Sequence, residues 1–208
     1  MKYQSFISNG AINFFNQNIV TFFAVVFFTF INGQVYIMAG NLIWLQIGAI
    51  SLCYLLFGYR VLIAVFFAIQ FSSYWFHGLE FVIFPTGVVN LMGALAPLLA
   101  IVSMKFFKLS NFFEGGKLVF QHLLFLAILT AFYNTLMKFF VWSYLSLLED
   151  SAHFLKGMTV SIDAMQFIKN YLIGDILGCL VVLFFVALVI VPGIRFFAPG
   201  LVPSNLDN

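Results

Sequence analysis

Two ionisable side chains, Lys138 and Asp175, stand inside long apolar stretches of the sequence. An ionisable group at membrane depth costs about 2.5–3.5 kcal/mol on insertion scales, so such groups usually face a bundle interior and mark a pair or a site. Both residues lie on the same side of the midpoints of their stretches, and antiparallel neighbouring helices would bring them to similar depth. We therefore predict an ion pair between them. The pair either locks two helices together, or lines a ligand pocket or an ion-sensitive switch, and the sequence leaves these alternatives open.

A polar stripe extends this candidate site. Thr130, Asn134 and Lys138 are spaced four residues apart, so they share one face of a helix. Asn90 is a second candidate, placed between two prolines of another apolar stretch. Binding sites between helices use a few convergent polar groups. The residues predicted to bind a ligand are therefore Lys138, Asp175, Asn134, Asn90 and Thr130.

Residues with catalytic or metal-binding chemistry are sparse. Cys53 and Cys179 stand alone in apolar stretches, where cysteine usually behaves as a small hydrophobe. His77, His122 and His153 are dispersed without a shared metal spacing. The sequence has no nucleophile elbow, Walker loop, zinc-helix motif or Rossmann fingerprint. We expect no enzyme, no bound metal and no cofactor.

The composition indicates that these residues lie in a membrane. Of the 208 residues, 63% are hydrophobic and 8% charged, whereas an average soluble domain is about 25% charged. Thirty phenylalanines add an unusually aromatic surface or interior. A net charge of +2 is too small to indicate a nucleic-acid partner. The lipid bilayer is the expected surrounding.

Six stretches are apolar enough for membrane helices, which need about 20 mostly apolar residues. They are Ala11–Ile31, Asn41–Leu56, Val61–Phe76, Phe81–Phe106, Leu118–Leu145 and Met165–Val191. The second and third are short. Because the stretches are continuous rather than alternating, they exclude a β-barrel. The predicted fold class is an all-α, polytopic membrane helix bundle with about six transmembrane helices.

The two ends of the chain are predicted separately from this bundle, which covers residues 11–193. Residues 1–18 carry aromatic residues near helical spacing, which fits an interfacial helix as well as a frayed terminus. No signal-peptide cleavage site follows, so the first stretch is expected to be a retained anchor. Residues 194–208 form a short tail.

The distribution of lysine and arginine predicts the orientation. Loops that carry more cations usually face the cytoplasm. With the N-terminus inside, the cytoplasmic side holds six cations and the outer side holds Lys156 and Lys169. The six are Lys2, Arg60, Lys105, Lys108, Lys117 and Arg195. Both termini are therefore predicted to be cytoplasmic, and Trp44, Trp75 and Trp142 then lie near the outer interface.

Small residues predict where helices approach closely. Gly174 and Gly178 form a small-xxx-small pair, which lets helix backbones pack together. Gly87 and Gly93 make another helix thin in the same way. In that helix Pro85 and Pro97 are expected to cause a kink, because proline removes a helical hydrogen bond.

Three local patterns resemble one family, the bacterial integral-membrane sensor domain of the first membrane-associated sensor type. The first runs from Trp44 through Gly48 to the turn at Gly58 and Arg60. The second is the small-residue helix that starts at Gly87, and the third is the Gly-Asp-x-x-Gly sequence that starts at Gly174. The resemblance covers roughly residues 41–191. This chain departs from the family at Leu45, where proline is usual. Residues 195–208 are too short for the kinase or cyclic-dinucleotide enzyme domain that usually follows, so the chain is expected to be either a stand-alone relative or a fragment.

The resemblance implies a sensory module in the bacterial inner (plasma) membrane that acts through a separate membrane or cytoplasmic signalling protein. A small-molecule ligand is the second expected partner. One alternative is a small-molecule-binding component of a transport system, similar in size and hydropathy to the six-helix subunits of vitamin uptake systems. The other is a structural subunit of a larger membrane complex.

Overall fold

The computed structural model describes residues 2–39, 43–79, 82–84, 86–109, 120–146, 164–186 and 188. Every regular element in these ranges is helical, which confirms the all-α prediction. The predictions that concern Pro85, Lys117, Lys156, Arg195 and the tail 194–208 lie outside the described residues.

The helices follow the predicted apolar stretches closely. They are α1 (Lys2–Ala39), α2 (Leu45–Phe57), α3 (Leu62–His77), α4 (Thr86–Phe106), α5 (Phe120–Ser146) and α6 (Ala164–Phe185). A single 3-10 turn, Gly58–Val61, joins α2 to α3. The first predicted stretch is part of a longer helix that also contains most of the 1–18 segment.

Four helical segments are long and apolar enough to cross a membrane: Asn13–Gly33, Leu45–His77, Gly87–Phe106 and Gln121–Tyr144. The apolar part of α6, Tyr171–Phe185, is shorter. These segments are compatible with the predicted membrane protein. The count of six spans and the cytoplasmic position of both termini stay predictions.

The segment Leu45–His77 is folded back on itself at Gly58. This glycine has φ 70° and ψ −160°, a backbone conformation that is open essentially only to glycine. The start of α2 lies beside the end of α1, because the Leu45 N–H donates to Asn32 Oδ1 at 2.7 Å. The end of α3 lies there too, since the Phe76 ring is 5.0 Å from that of Phe30. The helices α2 and α3 therefore run in opposite directions.

The central element of the bundle is α2. It packs against α1, α4, α5 and α6, and nine of its thirteen residues are buried. A helix that is apolar on every side is stable where neighbours cover all its faces. The centre of the bundle accordingly contains a short, largely buried helix.

Helices α2 and α6 touch through glycine. A Cβ added to Gly48 would lie 2.7 Å from the Gly178 carbonyl oxygen, and one added to Gly178 would overlap the carbonyl group of Trp44. The Trp44 N–H donates to the Gly174 carbonyl oxygen at 3.0 Å. Only residues without a side chain allow two backbones to come this close. Trp44 is thereby fixed against α6.

The outside of the bundle is apolar and aromatic. Large exposed hydrophobic side chains occur along α1, α3, α4, α5 and α6. Between α1 and α3 they form a connected aromatic surface, in which Phe30 contacts Trp75 and Phe76, and Trp75 contacts Phe71. Such a surface would be costly in water and is favourable against lipid.

Candidate functional site

A cavity of about 200 Å³ lies at one end of the bundle, where α2 and α4 begin and α3 ends. Its polar lining residues are Gln46, Ser73, His77, Asn90, Lys138 and Tyr171. Its apolar and aromatic lining residues are Trp44, Ile47, Ile50, Ile69, Val89 and Trp142, and Gly93 completes the wall. The cavity therefore joins five helices, and its rim includes the exposed His77.

Lys138 reaches into this cavity from α5. Its Nζ lies 5.3 Å from the centroid of the Tyr171 ring on α6, which is a cation–π distance. Its Cε lies 3.6 Å from where a Cβ of Gly93 would be. A larger residue at position 93 would therefore occupy the space beside the ammonium group. The glycine of α4 leaves that space to Lys138 and the cavity.

Behind Lys138, Asn134 and Asp175 form a buried pair. The Asn134 Nδ2 donates to Asp175 Oδ2 at 2.5 Å. The side chains are 0% and 1% exposed. A hydrogen bond to a carboxylate is shorter and stronger than one between neutral groups. This bond ties α5 to α6 in the interior.

The structure brings Lys138 and Asp175 into the same cluster. They are close enough to interact electrostatically, while the hydrogen bond that reaches the carboxylate comes from Asn134. The carboxylate is not among the groups that line the cavity, whereas Lys138 is. A close ion pair between the two side chains stays a prediction, and the geometry already gives them different surroundings.

Two other polar atoms of the α5 stripe are buried. Asn134 Oδ1 and Thr130 Oγ1 have no hydrogen-bond partner among the described residues. Buried polar groups in proteins nearly always have a hydrogen-bond partner, so these two atoms are exceptions. Asn134 Oδ1 lies 3.9 Å from the Cβ position of Gly93, next to the cavity wall. Thr130 lies one turn deeper and does not line the cavity.

Asn90 and Gln46 are held at the cavity by neighbouring helices. Asn90 Nδ2 on α4 donates to Gln70 Oε1 on α3 at 2.7 Å. Gln46 Nε2 on α2 donates to Thr29 Oγ1 on α1 at 2.8 Å. These bonds fix two amide side chains at the cavity wall. The sequence predicted Asn90 but missed Gln46 and Gln70.

Pro97 lies inside α4, and the kink expected there stays a prediction. A proline leaves the carbonyl four residues earlier, that of Gly93, without its helical donor. Nearby, the Tyr54 hydroxyl donates to the Ala94 carbonyl oxygen at 2.9 Å. This bond fixes α2 to α4 at the residue that follows Gly93. A tyrosine in an apolar stretch was the available signal, since a buried tyrosine hydroxyl usually has a partner.

The other predicted positions lie elsewhere. Gly174 and Gly178 lie at the contact between α2 and α6 described above, and a Cβ on Gly87 would lie 2.7 Å from the Val82 carbonyl oxygen. Gly58 and Arg60 lie at the opposite end of the bundle, in the turn after α2. Among the residues that the structure describes, no group of three histidine, cysteine, aspartate or glutamate side chains could hold a metal ion.

Chemically, this arrangement can bind a small molecule through one ammonium group, fixed amides and an apolar wall. No protein-family model, curated protein or solved structure matches the chain.

Proposed function

We propose that this protein is a membrane-embedded sensory module that binds a small molecule in the cavity around Lys138 and acts through a separate protein. The observation that carries the proposal is the position of Lys138. Its ammonium group lines a cavity of about 200 Å³ between five helices, although a charged group at such depth is costly. A structural charge could be enclosed completely, whereas this one adjoins open space.

The cavity is connected to the rest of the bundle by α2. Trp44, Gln46 and Ile47 line the cavity, and Trp44 is hydrogen-bonded to the backbone of α6. A ligand that shifts Trp44 must therefore change the contact between α2 and α6, because their backbones touch without intervening side chains. A close contact that changes to a second arrangement is a physical route for a signal. The resemblance to the sensor family supports the same role.

We further propose that the chain crosses the bacterial inner membrane six times, with both termini in the cytoplasm and the cavity facing outward. The reversal of chain direction at Gly58 supports counting α2 and α3 as two separate membrane spans. Trp44 and Trp142 lie at the cavity end of the bundle, and Arg60 and Lys105 lie at the other end. Tryptophan concentrates at membrane interfaces and cations concentrate at the cytoplasmic side.

Native mass spectrometry of the full chain from its own membranes tests the binding function. We expect the wild-type protein to carry a small molecule and the Gly93→Leu variant, which fills the space beside Lys138, to have lost it. The control is Leu91→Phe, which enlarges an exposed side chain of the same helix. Wild-type protein without any bound small molecule would overturn the proposal. A ligand retained in Gly93→Leu would place the site elsewhere.

Co-purification of a partner protein tests the sensory role. We expect a second protein to co-purify from native membranes, and the yield of this complex to change in Gly93→Leu but not in Leu91→Phe. Purification without any partner would contradict the proposal that the protein acts through another protein.

A component of a transport system is the second candidate, because it would use the same cavity. It predicts that the co-purified complex moves the bound molecule into sealed vesicles, whereas a sensor leaves the molecule outside.

A structural subunit of a membrane complex is the third candidate, and the connected aromatic surface between α1 and α3 supports it. A structural role would not require the cavity, so Gly93→Leu would leave the complex between the protein and its partner intact. In none of these roles do we propose a catalytic activity.

A further inference from the structure

We propose that the cavity takes a small organic anion with one carboxylate and an apolar or aromatic body, and that Lys138 binds the carboxylate. The inference rests on the proposed binding function and adds the chemical class of the ligand. It follows from the charge of the cavity wall, the source of that charge and the shape of the remaining wall.

The formal charge of the wall is positive. Among the described residues that line the cavity, Lys138 is the one with an ammonium, guanidinium or carboxylate group, and His77 is the one imidazole. Asp175 does not line the cavity, and its carboxylate accepts the hydrogen bond from Asn134 instead. A ligand that enters therefore meets the cation of the cluster and not its anion.

The start of α2 adds to this positive potential. Helix N-termini carry roughly half a positive charge, which favours anions. Trp44 and Gln46 at the beginning of α2 both line the cavity, and Trp44 gives the helix no side-chain capping bond. The Leu45 N–H is already bonded to Asn32. The start of α2 thus acts through its dipole in the same direction as Lys138, while the end of α3, which also borders the cavity, acts in the opposite direction.

Asp175 offsets part of the cost of burying Lys138 and lies outside the cavity wall. An isolated ammonium group in a membrane bundle has a high desolvation cost, which a nearby carboxylate offsets. Lys138 and Asp175 interact electrostatically. When a carboxylate binds in the cavity, the ammonium group has anions on both sides, and the α2 dipole offsets part of the added negative charge. One cation fits one carboxylate better than a dianion.

The rest of the wall selects the body of the ligand. Ile47, Ile50 and Ile69 are buried core residues that face the cavity, and the indole rings of Trp44 and Trp142 complete this side. An apolar cavity of about 150 Å³ is enough to hold benzene, so 200 Å³ holds a single ring with a short substituent. An apolar or aromatic body matches this side of the wall.

Three probes of the same shape test the class: benzoate, benzamide and benzylamine. Their binding to the purified full chain in lipid nanodiscs is measured by isothermal titration calorimetry. We expect benzoate to bind in preference to both others. Because a charged hydrogen-bond donor is lost, Lys138→Met should weaken benzoate binding about tenfold to a hundredfold. Lys138→Arg should keep it. Lys105→Met, at the opposite end of α4, is the matched control and should bind benzoate as the wild type does.

Two other outcomes would overturn the proposed chemical class of the ligand. Benzamide or benzylamine binding as tightly as benzoate, and unchanged in Lys138→Met, would show that the cavity binds small molecules without selecting an anion. Failure of all three probes to bind would overturn the single-ring carboxylate class. In both cases the ligand found by native mass spectrometry decides the proposed function separately. The preference of the wild-type protein among the probes is itself decisive if Lys138→Met does not fold.

Discussion

Lys138, Asn134 and Asp175 contribute one cation, one amide and one anion to the same interior, and their energies depend on one another. Asp175 accepts the hydrogen bond of Asn134 and interacts with Lys138 through space. A buried charge that loses its counter-charge is much more costly than an apolar pair in the same place. The cluster should therefore respond to mutation as a unit.

A double-mutant cycle measures this dependence. We expect Lys138→Met and Asp175→Asn each to lower the free energy of unfolding in detergent micelles by about 3–5 kcal/mol, the usual cost of breaking a buried pair. The double variant should lose less than the sum of the two, because neither charge is then left alone. Strictly additive losses would show that the two side chains are energetically independent.

The polar cluster was predictable from the sequence, whereas the cavity was not. Lys138, Asn134 and Asp175 stand out because polar side chains in apolar stretches are rare and face the bundle interior. Gln46, Ser73 and Tyr171 also occur in apolar helices, but near the ends of these helices, where polar and aromatic residues are common for other reasons. Which of them share a cavity depends on helix rotation, and one sequence does not determine that rotation.

At the level of elements, the role of α2 was the least predictable. Its sequence is apolar on every side, and a helix that is covered by protein has the same composition as one that is covered by lipid. The short length of the stretch and the presence of Gly48 and Ser51 were the available signals. The small residues are explained by the central position of α2, where Gly48 admits the backbone of α6.

The close contact between α2 and α6 predicts that a side chain at position 178 destabilises the protein. Gly178→Ala should destabilise the protein by about 1–3 kcal/mol, the usual cost of overpacking, because its Cβ would overlap the Trp44 carbonyl group. Gly93→Ala is the matched control, since its Cβ would have 3.6 Å to the nearest atom. It should leave stability unchanged or raise it, as alanine favours helices over glycine. Unfolding of both variants in detergent micelles provides the comparison.

A Gly178→Ala variant as stable as the wild type would mean that α2 and α6 separate more easily than their backbone contact indicates. The proposed transmission of a signal from Trp44 to α6 would then lose its physical basis, while binding in the cavity would be unaffected.

The two ends of the molecule carry different kinds of residues. The cavity end carries Trp44, Trp142 and the exposed His77, while the other end carries Arg60 and Lys105. Helix α3 connects these ends and has sixteen residues, fewer than the roughly 20 of a typical span. A short helix still crosses a bilayer if the membrane thins locally or if flanking residues extend it. The turn Gly58–Val61 provides such an extension.

Single cysteines at the two ends of α3 test the orientation directly. Leu79, next to the end of α3, is 63% exposed, and Tyr59, in the turn before α3, is 72% exposed. Both native cysteines are buried, so a maleimide that does not cross membranes should report the introduced thiol. In intact bacterial spheroplasts we expect Leu79→Cys to be labelled. Tyr59→Cys should be labelled only after permeabilisation, because the cation-rich end faces the cytoplasm.

The pattern of labelling also decides how a ligand reaches Lys138. The reverse pattern would place the cavity on the cytoplasmic side, so that the protein could bind only an intracellular molecule. Labelling of both positions from the same side would contradict a crossing by α3 and, with it, the count of six spans. The expected pattern requires that the ligand arrives from outside the cell membrane and meets Lys138 through the end of the bundle that His77 borders.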